Sequence, residues 1–347
     1  MTTDTRARVK LRSPADIIDA VPYLVGFEPH DSLVVLSLRG PRSRLGLTAR
    51  IDLPEAKHAT ACARSFVGYL KRDGAARALI VLYPPSDGIA HPSVKPLADA
   101  LIRQLTRARI EVSEVLCVCD GRWWSMQCQN AGCCPPSGTL IARETTSELA
   151  AAMTVEGRVV LGSREELEHM LDPISGMAAA LMAYAITRVH EEIAARVFAG
   201  HKSEVVAESL ALYRAAVDAR VVGPVEELTN DEAARLIVSL DLWGVRDELL
   251  TWFDGDRGDA TRTLLLELVR RSVMPGDAAA LTVFAWVCYL RGEGVFAGIA
   301  IDRARTADPQ YSLAELLDQI LCGAVNPSIF QETFASPEFR QGLTAGG

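Results

Sequence analysis

The run from Ser32 to Leu38, Ser-Leu-Val-Val-Leu-Ser-Leu, is almost continuously apolar. A strand with one wet face alternates apolar and polar residues. A short run that does not alternate needs cover on both faces, so it belongs in the middle of a layered sheet. The neighbouring segments supply the layers. Ser13-Pro14-Ala15-Asp16 starts a helix, with Ser as cap, Pro in the first turn and Asp near the positive end of the dipole. That helix carries Ile17, Ile18 and Val21 and ends by Gly26. After Gly40-Pro41 the residues Leu45, Leu47, Ala49, Ile51 and Leu53 alternate with Thr48, Arg50 and Asp52. This predicts a second strand, folded back on the first as a hairpin.

Helical spacing then predicts helices over 55–73 and 93–109, and strands over 78–83 and 112–119. Alternation of this kind makes a layered α/β domain, and the early hairpin makes its sheet mixed. A short helix over 146–152, a short strand over 158–161 and a capped helix over 163–171 follow. Asp172-Pro173-Ile174-Ser175-Gly176 is the expected boundary. Beyond it only helical patterns occur, over 176–200, 203–219, 229–241, 244–253, 259–272, 277–291, 294–306 and 312–321. The expected organisation is an α/β domain over 1–172, a helical domain over 173–335 and a tail over 336–347. Leu281, Phe284, Ala285, Cys288, Ala297, Ile301, Ala304 and Pro309 fall at the spacing of one tetratricopeptide-like helical hairpin, with Leu290-Arg-Gly-Glu-Gly294 as its turn.

Composition excludes several classes. A net charge of −8 with no run of Lys or Arg argues against a nucleic-acid surface. The first ten residues hold no apolar core of a signal peptide. The longest apolar stretch, Ala278 to Leu290, has 13 residues, against about 20 for a membrane span. A cytoplasmic protein with free or metal-bound thiols is the expectation.

Chemistry is concentrated between Asp120 and Thr139. Asp120-Gly121 is a strong two-residue turn signal. A hairpin closed there sets Cys119 against Arg122, Cys117 against Trp124 and Val115 against Met126. Cys117, Cys119, Trp124 and Met126 then share one sheet face, with Leu116, Val118 and Trp123 on the other. On that geometry Cys117 and Cys119 are core residues, roughly 20 Å from Cys128. There remain Cys128, Cys133 and Cys134, in a loop closed by Pro135-Pro136. The residues alone leave three readings open: buried packing, three thiolate ligands for a metal such as zinc, or a redox-active pair. A fourth metal ligand would come from a distant segment, with His30 and Cys62 as the candidates.

His30-Asp31-Ser32, in the Glu28–Ser32 loop, is a second candidate, although consecutive residues cannot form a relay without converging in space. Arg122, Trp123 and Trp124 complete the set. His190-Glu191 lacks the second His of a zinc-protease helix, since residue 194 is Ala. Gly292-x-Gly294-x-x-x-Gly298 lies between helices and makes no dinucleotide loop. There is neither a phosphate loop nor a Gly-x-Ser-x-Gly elbow.

The stretch Pro22-Tyr23-Leu24-Val25-Gly26-Phe27-Glu28-Pro29-His30-Asp31-Ser32-Leu33-Val34-Val35 combines with Arg122-Trp123-Trp124-Ser125 and with Cys128…Cys133-Cys134-Pro135-Pro136-Ser137-Gly138-Thr139. Together these resemble an actinobacterial family, domain of unknown function 4192 (DUF4192). Trp286 to Leu313 is similar to it as well. Met126 stands where the family has an aromatic residue. The resemblance implies an actinobacterial cytoplasmic protein and carries no activity.

Two functional expectations follow. The first is a non-catalytic interaction or adaptor protein that meets a protein partner through its helical domain, with no membrane or nucleic-acid partner. The alternative is an enzyme with a thiol or zinc site near the Cys128–Cys134 loop and the Glu28–Ser32 loop.

Overall fold

The computed structural model describes residues 13–141, 160–223, 225–273 and 277–335. The expected helix over 146–152 and the first residues of the strand over 158–161 lie outside them. Within the chain two compact units form, one reaching to Leu167 and including Gly323–Val325, the other covering Glu168–Cys322 and the residues from Asn326.

In the first unit, α1 (Pro14–Val25) opens with a capping box: Ser13 and Asp16 each bond the other's backbone N–H, at 3.2 and 3.0 Å. The strands are β1 (Ser32–Arg39), β2 (Arg44–Asp52), β3 (Ala75–Tyr83), β4 (Glu111–Cys119), β5 (Arg122–Ser125) and β6 (Thr139–Leu140). Helices α2 (Ala59–Arg72) and α3 (Val94–Arg107) connect β2 to β3 and β3 to β4. The sheet order is β2-β1-β3-β4-β5-β6. Only β3 and β4 run parallel; every other neighbouring pair is antiparallel, which gives the mixed sheet the sequence predicts.

β1 has no polar face because both of its faces are covered. Leu33 and Val35 join Ile80, Leu82, Val115 and Cys117 under Phe66, Leu70, Leu97, Leu101 and Leu105 of α2 and α3. Val34 and Leu36 point the other way and are also fully buried. Each such side chain contributes roughly 1.5–3 kcal/mol when removed from water.

One polar network lies inside this unit. The Asp73 carboxylate accepts from Ser37 Oγ, from Arg39 Nε at 2.9 Å and from the Leu47 amide at 3.1 Å, and it pairs with the Arg39 guanidinium. The β1–β2 register slips between Leu36 and Leu38, so Gly46 and Leu47 together oppose Ser37. At Gly46 a Cβ would collide with Arg39, Asp73 and Ser37 at once. The glycine is what admits the carboxylate.

The second unit is helical. Its elements begin in α4 (Arg164–His169), within which the division between units falls, and continue through α5 (Gly176–Phe198), α6 (Lys202–Val222) and α7 (Asn230–Ser239). They end with α8 (Trp243–Leu249), α9 (Gly255–Arg271), α10 (Ala278–Leu290), α11 (Gly294–Ala307), α12 (Ser312–Cys322) and α13 (Pro327–Ala335). All of α10 is buried, because α9, α11, α12 and α13 pack around it. Phe284 meets Phe296 edge-to-face at 5.0 Å, and Trp286 meets Phe330 at 5.1 Å. Ala285, Ala297 and Ala304 are fully buried, as expected where two helices of a hairpin approach closely. Helix α13 has no counterpart among the expected elements. Among the described residues no helix is long and apolar enough to cross a membrane.

Candidate metal centre

The turn at Asp120-Gly121 closes β4 onto β5 in the expected register, with Cys119 opposite Arg122, Cys117 opposite Trp124, and the Met126 amide on the Val115 carbonyl at 2.8 Å. Cys117 lies in the core, and burial pushes its thiol up to about 12. The chain then leaves the sheet at Met126 and returns at Thr139 as the edge strand β6, Trp123 pairing with Thr139 and Arg122 with Leu140. The cysteine-bearing loop is therefore a hairpin excursion at the sheet edge.

Three side chains of β5 anchor that loop. Ser125 Oγ donates to Glu114 at 2.7 Å and accepts the Cys128 amide at 3.1 Å. Trp124 Nε1 donates to the Pro136 carbonyl at 3.0 Å, and its ring lies against Gly138 and Gly88. Arg122 Nη1 donates to the carbonyls of Ser137 and Gly138, at 3.3 and 3.1 Å. At the tip, Asn130 organises a turn: its side-chain oxygen accepts the Gly132 amide at 2.9 Å, and its carbonyl accepts the amides of Cys133 and Cys134 at 3.1 and 2.8 Å.

That turn folds the three cysteines onto one another. Cys128 Sγ lies 3.2 Å from Cys133 Sγ, and Cys133 Sγ lies 3.8 Å from Cys134 Sγ; all three fall within 4.8 Å. Cys133 is exposed, and Cys128 and Cys134 are half-buried. The packing reading needs buried thiols beneath Trp123 or Trp124, and the exposed Cys133 does not meet it. The tryptophan is instead used to hold the loop. Cys128 is pushed below the ordinary thiol value, chiefly by the hydrogen bond from Cys133, with the Asn130 amide and Cys134 adding to it. Cys134 is raised to about 12, first by its hydrogen bond to Cys128.

Neither proposed fourth ligand joins the group; among the described residues only the three cysteines form it. Cys62 is on α2, packed against the core, with its thiol pushed up to about 11 by burial. His30 is exposed, in the turn before β1, three strand positions from β5.

The His30-Asp31-Ser32 stretch makes no relay. Ser32 Oγ donates to the carbonyl of His30 at 2.5 Å and accepts from Arg50 Nε at 2.9 Å. Asp31 has a φ of 44° and its carbonyl accepts the Leu53 amide at 2.7 Å, so the segment closes the mouth of the β1–β2 pair. Trp123 is half-buried on the opposite sheet face from the thiol-side core. Of the candidate residues, Arg122 and Trp124 hold the loop that carries the three cysteines, through its backbone at Pro136, Ser137 and Gly138, while His30 and Asp31 do not touch it. Ser125, Asn130 and Gly138 are the residues that sequence reasoning missed; a polar side chain at the strand end and an Asn two residues before Gly132 were the available signals.

The chain matches, over residues 14–328, the family model described as Domain of unknown function (DUF4192). It belongs to that family. No curated protein and no solved structure matches the chain. The DUF4192 match includes both units, from α1 through the thiol loop to the first turn of α13.

Proposed function

We propose that this DUF4192 chain binds a thiophilic divalent metal, zinc by first choice, through Cys128, Cys133 and Cys134. The observation that carries the reading is the mutual distance of the three sulfurs, all within 4.8 Å. Zinc–thiolate bonds of about 2.3 Å arranged tetrahedrally separate neighbouring sulfurs by about 3.8 Å. The 3.8 Å between Cys133 and Cys134 equals that spacing, and the 3.2 Å between Cys128 and Cys133 is shorter, so that pair opens slightly to take the ion. Without a metal the thiols keep protons and hydrogen-bond one another; deprotonated together they would repel, and a divalent cation is the charge that would offset them. Among the described residues no fourth protein ligand joins the three sulfurs, which leaves that position open to a water or an external ligand. Such an open site differs from the closed four-ligand sites that only stabilise a fold. Free thiols on an exposed loop suit a reducing, cytoplasmic compartment.

Protein purified under reducing conditions and exposed to zinc should carry about one equivalent, and Cys133→Ser should lose it. A chain that takes up no zinc while all three thiols label freely would overturn the reading.

A second reading, that the helical unit binds protein, is favoured by Met177, Leu181 and Tyr184 on α5. They are 75%, 53% and 71% exposed and recur at helical spacing. A two-fold axis would set such a stripe against its own copy and cover both, so the occupant this reading names is a second copy of the chain. The α10–α11 pair, read as a tetratricopeptide-like hairpin, and a division near Pro173 belong to the same adaptor-like reading. Sedimentation should show a dimer that Leu181→Lys dissociates; a monomer at all concentrations contradicts it.

A further inference from the structure

The three thiols are not equivalent. The shortest approach is between Cys128 and Cys133, at 3.2 Å, while Cys133 and Cys134 stand at 3.8 Å and are adjacent in the chain. Gln129, Asn130, Ala131 and Gly132 separate the first pair, enough chain to close a ring, whereas a vicinal pair closes only into a strained one. A disulfide requires about 2.05 Å, so the first pair needs a movement on the order of 1 Å. Two anchors of the loop lie outside the ring this would close, Trp124 holding Pro136 and Arg122 holding Ser137 and Gly138, while Ser125 holds the backbone amide of Cys128 at its start. Cys133 is also the exposed member, the one a small molecule in solution meets first.

We propose that the metal centre is redox-releasable: a low-molecular-weight disulfide oxidises Cys133 and Cys128 to a disulfide and discharges the ion. This rests on the metal reading above and names the regulation of that same site. In the first step the Cys133 thiolate attacks one sulfur of the oxidant R–S–S–R. The S–S bond breaks, and its electron pair leaves with R–S⁻, giving Cys133–S–S–R. In the second step the Cys128 thiolate attacks Cys133 Sγ and expels the second R–S⁻. Two protein thiolates have lost two electrons, the oxidant has gained them, and the divalent ion keeps one protein ligand, Cys134. A single protein thiolate cannot hold it.

The test uses the full chain loaded with zinc and 2-hydroxyethyl disulfide as the oxidant. Zinc release is followed with a chromophoric chelator, and disulfides are mapped by peptide mass. The expected result is about one zinc released per Cys128–Cys133 disulfide, reversed by added thiol. Cys128→Ser should stall with the mixed disulfide on Cys133, and Cys134→Ser should still form the Cys128–Cys133 bond. A chain that holds zinc and forms no such disulfide, or forms it between Cys133 and Cys134, overturns the redox inference alone. A chain that takes up no zinc before oxidant is added overturns the metal reading and with it this inference.

Discussion

Gly138 and Gly121 give a matched pair of substitutions that weighs what holds the thiol loop. Both have positive φ, 77° and 70°, so alanine at either position is placed in the left-handed region at about 1–2 kcal/mol. At Gly121 a new Cβ meets nothing within 4 Å, and that backbone cost is the whole expectation. At Gly138 the Cβ would stand 2.5, 2.7 and 2.9 Å from Cε2, Cζ2 and Nε1 of Trp124. The indole cannot turn aside freely, since Nε1 is bonded to the Pro136 carbonyl and Gly88 lies against the ring. Overpacking of this kind costs about 1–3 kcal/mol. Gly121→Ala should therefore cost about 1–2 kcal/mol and Gly138→Ala about 2–5 kcal/mol in urea unfolding. If the excess is relieved by unpinning the loop, zinc affinity in a competition titration falls by roughly 5- to 150-fold in Gly138→Ala and little in Gly121→Ala. Equal destabilisation with equal zinc affinity would refute the claim that Trp124 pins the loop through Gly138.

Asp73→Ala strips the partner from Arg39, Ser37 and the Leu47 amide in one change and should cost about 3–5 kcal/mol by urea unfolding. A cost under 1 kcal/mol, near that of an exposed pair, would show the network to be ornamental. Ala297→Leu, at a fully buried helix contact, should cost about 1–3 kcal/mol, and an unchanged melting temperature would contradict the close α10–α11 approach. Glu192 is held below the usual glutamate value, first by its hydrogen bond from Arg235. Its contribution to stability is therefore complete above the ordinary glutamate value and is lost as pH falls through the lowered one. Glu192→Gln should flatten that part of the acid unfolding profile; an identical profile would contradict the pairing.

Much of the first unit was legible because its signals are local. The unbroken run at Ser32–Leu38 reads as a doubly covered strand, and Asp120-Gly121 sets the β4–β5 register residue by residue. Other features depend on contacts that spacing does not encode. β6 is two residues long, too short for a period, and exists because Arg122 and Trp123 offer a free edge. The Asp73 network joins residues 26 to 36 positions apart through a bulge at Gly46. α13 is only nine residues long, too short for a clear helical period, and its place is decided by Phe330 meeting Trp286. The convergence of Cys128 with Cys133 and Cys134 follows from the Asn130 turn, which an irregular Cys spacing does not announce. Exposure of those thiols was equally hidden, since cysteine is among the residue types most often buried.

The measurement that bears most directly on the metal centre is a titration with cobalt(II), which takes zinc sites and reports its ligands by absorption. Three thiolate ligands give a strong near-ultraviolet sulfur-to-metal band and the visible bands of a four-coordinate ion. Both should rise together, saturate at about one equivalent and weaken as pH is lowered, because each ligand must be deprotonated to bind. Added zinc should displace them. Absence of the sulfur band in a folded, fully reduced chain, or its persistence unchanged in the Cys128→Ser, Cys133→Ser, Cys134→Ser triple variant, would contradict a three-thiolate centre in this loop.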